Sequence, residues 1–134
     1  MVVVVLIDVL AALAIAAFKR VQERSLASRM ANDFRQYAAA FQQYAFDNGA
    51  WPAATTTTGT LPTGMANYLP STYSQSPPLG GGYTWSGSTA RIRLLNSQAT
   101  DVVMQRVDTI LDDGNLSSGD FAKMTSGGYH WQLH

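Results

Sequence analysis

A chain of 134 residues with nine Lys or Arg against nine Asp or Glu has a formal charge of zero, and this balance excludes the basic footprint of charge-driven nucleic-acid binding. The absence of cysteine excludes disulfide frameworks, thiolate metal sites and cysteine nucleophiles. The length suits one domain with an appended segment.

Residues 1–18, MVVVVLIDVLAALAIAAF, are apolar apart from Asp8. As a helix they would span about 27 Å, close to the hydrocarbon thickness of a bilayer. The valines follow Met1 directly, with no positive n-region, which argues against a cleaved signal peptide. A chain this small cannot easily surround an all-apolar helix, so residues 1–18 are predicted to span a membrane.

Residues 19–50 change character without a break. No Gly or Pro occurs from Met1 to Asn48, and Leu26, Met30, Phe34, Tyr37, Phe41 and Tyr44 recur at spacings of three and four. That is one stripe of a 3.6-residue helix. Lys19, Arg20, Glu23, Arg24, Arg29, Asp33 and Arg35 occupy much of the remaining surface, with Arg29 and Asp33 spaced to pair at i,i+4. Asn48-Gly49 supplies a C-cap and Pro52 forbids continuation. The prediction is a single helix of about 70 Å whose first third wants lipid and whose last half wants protein on one face.

Residues 51–82, with AATTTTGTLPTG and SPPLGGG, read as connecting loop. MANYLP within it suits a short helical turn pinned by Met65, Tyr68 and Leu69. The Thr run reads as solvated loop, with glycan attachment as the alternative.

Residues 83–134 read as an antiparallel sheet with one inserted helix. YTW and ARIRLL flank SGST as a hairpin, with Ala90, Ile92 and Leu94 alternating against Arg91 and Arg93. Ser97 or Thr100 is placed to cap a helix that presents Val103, Val107, Ile110 and Leu111 on one face and ends at Gly114. A second hairpin follows, DFAKM and YHWQL around TSGG, with Tyr129, Trp131 and Leu133 together. The apolar face of such a sheet needs a lid, and the aromatic stripe of the first helix is the candidate. The predicted class is therefore α+β: a long N-terminal helix, membrane half plus amphipathic half, packed against a small antiparallel sheet.

The first 18 residues resemble the N-terminal helix of type IV pilins and of the pseudopilins of type II secretion systems. Mature members typically begin FTLIEL and continue with a run such as MVVVAIIGILAAIALPAY. Aligned without gaps, Met1 falls just after FTLIEL, Phe18 on the family's aromatic, and LAALAIAAF on LAAIALPAY. YAFDNGAWP is similar to the family's end-of-helix stretch, and PPLGGGYTW to the lead into its first strand. Residues 1–52 resemble the family well and the remainder loosely. Ala16 stands where the family has a helix proline, and Asp8 where it often has glycine rather than on its assembly glutamate. Against that pattern the chain is expected to start inside the helix, without the leader, the methylated first residue or the glutamate.

The resemblance implies a pilin-like fold and a structural role: a subunit of a type IV pilus-like or type II secretion pseudopilus filament, assembled through its N-terminal helix. Asp8 and Phe18 would then lie on the assembly and membrane surface. The partners implied are further copies in a homo-oligomeric filament, other pilins or pseudopilins, inner-membrane assembly machinery and lipid, with no nucleic acid. The implied location is a bacterial inner membrane, single-pass with the globular part outside the cytoplasm, and then an extracellular or periplasmic filament. Lys19, Arg20 and Arg24 just after the span argue for the opposite orientation by the positive-inside rule, and here the resemblance is preferred. The alternative function is a monomeric membrane-anchored binding module with no filament role.

Candidate chemistry is sparse. Two readings stay open for Asp8: a polar contact to a neighbouring helix or the assembly machinery, or a protonated or snorkelling side chain near the membrane surface. Asp112, Asp113, Asn115 and Asp120 are hard oxygen ligands beside glycines, which is calcium chemistry, and some pseudopilins bind calcium in a C-terminal loop. Their spacing is not that of an EF-hand, and the other reading is a polar turn capped by Gly114. No other cofactor is expected. His130 and His134 would lie about 13 Å apart on a strand, too far to share a metal. No nucleophile elbow, phosphate-binding loop or zinc-protease motif occurs, so an enzyme is not expected.

Overall fold

The computed structural model describes residues 2–134; Met1, the first residue of the 1–18 span, lies outside the described residues. The dominant element is one helix, α1 (Val2–Asn48), 47 residues and about 70 Å long. It runs unbroken because nothing in it breaks a helix, and it stops where Gly49 turns left-handed at φ +72°. The Gly49 N–H then bonds the Ala45 carbonyl at 2.8 Å, and the Asn48 amide bonds that of Tyr44 at 2.9 Å. The Ala45 carbonyl, which the helix end would otherwise orphan, is thereby satisfied.

Only the second half of α1 is buried. Ala27, Met30, Ala31, Phe34, Tyr37, Ala38, Ala40 and Phe41 face the core, with Leu26 and Tyr44 partly covered at its margins. Four strands form the opposing sheet: β1 (Gly82–Ser86), β2 (Arg91–Leu95), β3 (Phe121–Lys123) and β4 (Tyr129–Gln132), in the order β1-β2-β4-β3. Every neighbouring pair is antiparallel. Phe34 joins three of the strands, meeting Tyr83, Phe121 and Trp131 edge-on at 5.5, 5.4 and 6.3 Å between ring centroids. Edge-on contact sets the positive ring edge against the negative ring face, which adds to the area buried.

Between β2 and β3 lies α2 (Asp101–Leu111), packed on α1. Thr100 caps it, accepting from the Val103 N–H at 3.4 Å. At the other end Arg35 of α1 donates to the Ile110 carbonyl at 3.0 Å, and Arg106 reaches Glu23 at 3.9 Å. The buried face is Val103, Met104, Val107 and Asp108; Ile110, expected there, is exposed. The helix also stops before Gly114, because Asp112 leaves helical geometry (φ −146°, ψ −121°) and turns its carboxylate to amides farther along the chain.

Two loop features differ from expectation. Ala90 is not on a strand: it sits in the hairpin turn at φ +48°. The Thr run is not simply solvated, since Thr55 is buried beside β1. Its N–H bonds the Trp85 carbonyl at 2.9 Å, and its hydroxyl accepts from the Trp85 N–H at 3.0 Å. With Gly59 bonding the Tyr83 carbonyl at 2.8 Å, the loop covers an edge strand that would otherwise invite pairing with another chain. Farther on, Met65 and Leu69 are buried through a helical turn, and Tyr68 donates to Asp47 at 3.0 Å.

Candidate assembly surface

From Val2 to Phe18 every residue of α1 is exposed, Val2 by 74% and Phe18 by 69%. None of the most apolar 18-residue stretch of the helix is buried against the rest of the chain. A core helix is thus excluded, and a signal-sequence reading must accommodate a helix that continues unbroken into the core. Nearly half the length of one rigid element, residues 2–22, therefore stands clear of the fold. Exposed apolar surface on this scale marks an interaction with lipid or protein.

Asp8 interrupts this surface, and among the described residues it makes no hydrogen bond or ion pair. The nearest cations along the helix, Lys19 and Arg20, are about 16 Å away at 1.5 Å per residue. No cation among the described residues is therefore within reach of Asp8. Phe18 ends the apolar stretch, and Lys19, Arg20 and Arg24 follow it before burial begins at Ala27. The polar neck between lipid-compatible and core segments is about 12 Å long, with the Glu23–Arg106 pair tying α2 to it.

The acidic loop after α2 divides the residues singled out from sequence. Asp112 Oδ2 accepts from the backbone N–H groups of Asp120 at 2.6 Å and Phe121 at 3.2 Å. Asp113 accepts from the Asn115 N–H at 2.9 Å and the Ser118 hydroxyl at 2.8 Å, and these bonds hold its carboxyl below the usual range. Asn115 Oδ1 turns instead to the Ser117 N–H, and Asp120 Oδ1 to His134 Nε2 at 3.0 Å. Gly119 makes the fold-over possible: a Cβ there would sit 2.0 Å from Asp112 Oδ2.

The residue that joins Asp112 and Asp113 is Asp108, which sequence reasoning missed. It is fully buried, and neither carboxylate oxygen has a hydrogen-bond partner. Burial, and then the charges of Asp113 and Asp112, push its carboxyl up to about 6; the Asp113 and Gly114 amides oppose this without reaching hydrogen-bond geometry. The available signal was the spacing: Asp108 lies four residues before Asp112, one turn back along the chain from the helix end.

The histidines stand apart. Burial beside Arg91 and Arg93 lowers the pKa of His130, which has no carboxylate hydrogen-bonded to it. His134 and Asp120 border a groove of about 270 Å³ whose lining contains no Ser, Thr, Cys or Lys to serve as a nucleophile.

Among solved structures the chain is similar to the major type IV pilin PilA1 from Clostridium difficile, with a TM-score of 0.59 at 14% identity over 83% of this chain and 95% of that one. No family model matches the sequence, and no curated protein matches it. At that identity the likeness is one of fold: a pilin-like α+β fold, with a long N-terminal helix and a short one packed on a four-stranded antiparallel sheet.

Proposed function

We propose that this pilin-folded chain is a structural subunit of a type IV pilus-like or type II secretion pseudopilus filament, assembled through α1. The single observation that carries this reading is the two-faced helix. Ala27 to Phe41 supply the domain's own core, while Val2–Phe18 offer apolar surface in every direction. A helix apolar all round is stable in lipid or among other helices. Lipid covers it before assembly and neighbouring copies cover it afterwards, with Asp8 and Phe18 on that surface. The role is structural rather than catalytic. The small globular part favours a pseudopilin or a short pilin, with other pilins or pseudopilins and an inner-membrane assembly machinery as partners. The globular part lies outside the cytoplasmic membrane, and then on an extracellular or periplasmic filament.

The chain has no cysteine, so single cysteines placed at Val9 and Ile15 of the full-length protein report only on α1. Filament subunits should give disulfide-linked species in membranes and sheared filaments by negative-stain microscopy. A protein that floats with membranes, never cross-links and never forms filaments would instead be a monomeric membrane-anchored binding module.

A further inference from the structure

A groove of about 390 Å³ lies between α1 and α2, lined by Arg24, Ala27 and Ser28 of the first helix and Arg106, Thr109 and Ile110 of the second. Two guanidiniums and two hydroxyls share it with two apolar side chains. Arg24 is exposed and makes no hydrogen bond or ion pair among the described residues. Arg106 reaches Glu23 at 3.9 Å, and its buried Nε–H has no acceptor. That separation is well beyond the roughly 2.7–2.9 Å of a charge-assisted hydrogen bond. Thr109 already donates to the Gln105 carbonyl at 2.9 Å. The donors left for a ligand belong to Arg24, Arg106 and Ser28, a set that suits an oxyanion.

The chain as a whole is neutral, so the charge at this place is a local arrangement. Lys19, Arg20 and Arg24 follow one another along the neck of α1, and Arg106 joins them from α2. Glu23 is the one acid of α1 between Asp8 and Asp33.

Height along α1 decides which oxyanion reaches the groove. The polar zone of a bilayer extends about 5–8 Å beyond the hydrocarbon on each side. Glu23, which Arg106 approaches, lies about 7.5 Å past Phe18 along the axis, and the Cα of Arg24 about 9 Å past it. Helical side chains lean back towards the N-terminus, here towards the membrane. With Val2–Phe18 in hydrocarbon, both guanidiniums therefore stand at the level of the lipid phosphates. The exposed apolar surface of Val2–Phe18 continues directly below, where acyl chains would lie.

We propose that this groove binds the phosphate of an anionic phospholipid, phosphatidylglycerol in preference to phosphatidylcholine. A choline headgroup carries its own ammonium beside the phosphate, whereas a glycerol headgroup leaves the phosphate charge to the arginines. Arg24 and Arg106 hold the phosphate from two helices, so the bound lipid ties α2 to the neck of α1 at the membrane surface. The site rests on the reading that Val2–Phe18 lie in lipid, and it is the same on either side of the membrane.

Two measurements on the full-length protein separate the site from that reading. Flotation with phosphatidylcholine vesicles reports insertion alone: protein that stays at the bottom removes the membrane reading and the headgroup site together. Native mass spectrometry from neutral-detergent micelles holding equal amounts of phosphatidylglycerol and phosphatidylcholine then reports on the groove. Each chain should retain one phosphatidylglycerol. One base near an anionic surface is worth about fivefold, so Arg24→Gln with Arg106→Gln should lower the preference at least tenfold. Lys19→Gln with Arg20→Gln removes the same charge outside the groove and should lower it by much less. If the groove pair fails to fold, Arg24→Gln alone, changed at an exposed side chain, is compared with Lys19→Gln. Protein that floats yet shows no preference for phosphatidylglycerol overturns the proposal and leaves the membrane reading intact. Equal losses inside and outside the groove overturn it in favour of diffuse charge. Inorganic phosphate retained in place of the lipid overturns it in favour of a free-anion site.

Discussion

The Phe41 ring lies flat on Trp85, with centroids 4.0 Å apart and planes 12° apart. This contact joins α1 to the first strand of the sheet. Trp85 is then fixed from two other directions: its indole N–H donates to the Pro52 carbonyl at 3.0 Å, and Trp51 leans on it at 5.4 Å. Phe41→Ala should cost about 3–5 kcal/mol, the usual range for removing a buried aromatic ring. Urea unfolding followed by tryptophan fluorescence would measure it, and a loss below about 1 kcal/mol would show that α1 is held to the sheet elsewhere.

Thr55 closes both backbone groups of Trp85 on an edge strand. Thr55→Val keeps the volume and removes the acceptor, leaving a buried N–H unsatisfied. The expected cost is about 1–3 kcal/mol, and amide exchange at Trp85 should quicken. Unchanged exchange there would mean that the hydroxyl is dispensable.

Gly119 combines a left-handed backbone, φ +81°, with a Cβ position 2.0 Å from Asp112 Oδ2. Gly119→Ala must therefore displace the carboxylate from the Asp120 and Phe121 amides. Those two amides should lose protection from exchange while Trp85 and Tyr83 keep theirs. A global rather than local loss of protection would contradict this.

Asp101 accepts from Lys123 Nζ at 2.8 and 2.9 Å and from the Tyr129 hydroxyl at 2.6 Å, and these bonds hold its carboxyl below the usual carboxylate range. Because the folded pKa is the lower one, the unfolded chain takes up the proton first as pH falls. The stabilisation is present above about pH 4, the unfolded carboxylate value, and disappears as pH falls through the folded pKa. Asp101→Asn should flatten the acid side of a plot of urea midpoint against pH. An identical slope in parent and variant would remove Asp101 from the account.

The parts of this fold legible in sequence were those with local causes. The unbroken run to Asn48, the Gly49 stop, the aromatic stripe and the Thr100 cap each follow from residues within a few positions of one another. Thr55 on Trp85 joins positions 30 apart, and nothing local distinguishes it from the other threonines of its run. Met104 is buried in place of Ile110, because which strip of α2 meets α1 depends on tertiary packing that periodicity alone does not specify. Asp108 was hidden by its chemistry: an aspartate in an amphipathic helix ordinarily faces water, and only the packed fold reveals that this one does not.

The continuity of α1 has a mechanical meaning. Tension applied to Val2–Phe18 meets no loop or hinge before it reaches Met30, Phe34 and Phe41. With no slack to stretch, the load passes along the helix and acts on the aromatic contacts as shear. The sheet would then give way by sliding off its shaft, and resistance to pulling would be set by ring-to-ring interlocking rather than by the length of any tether.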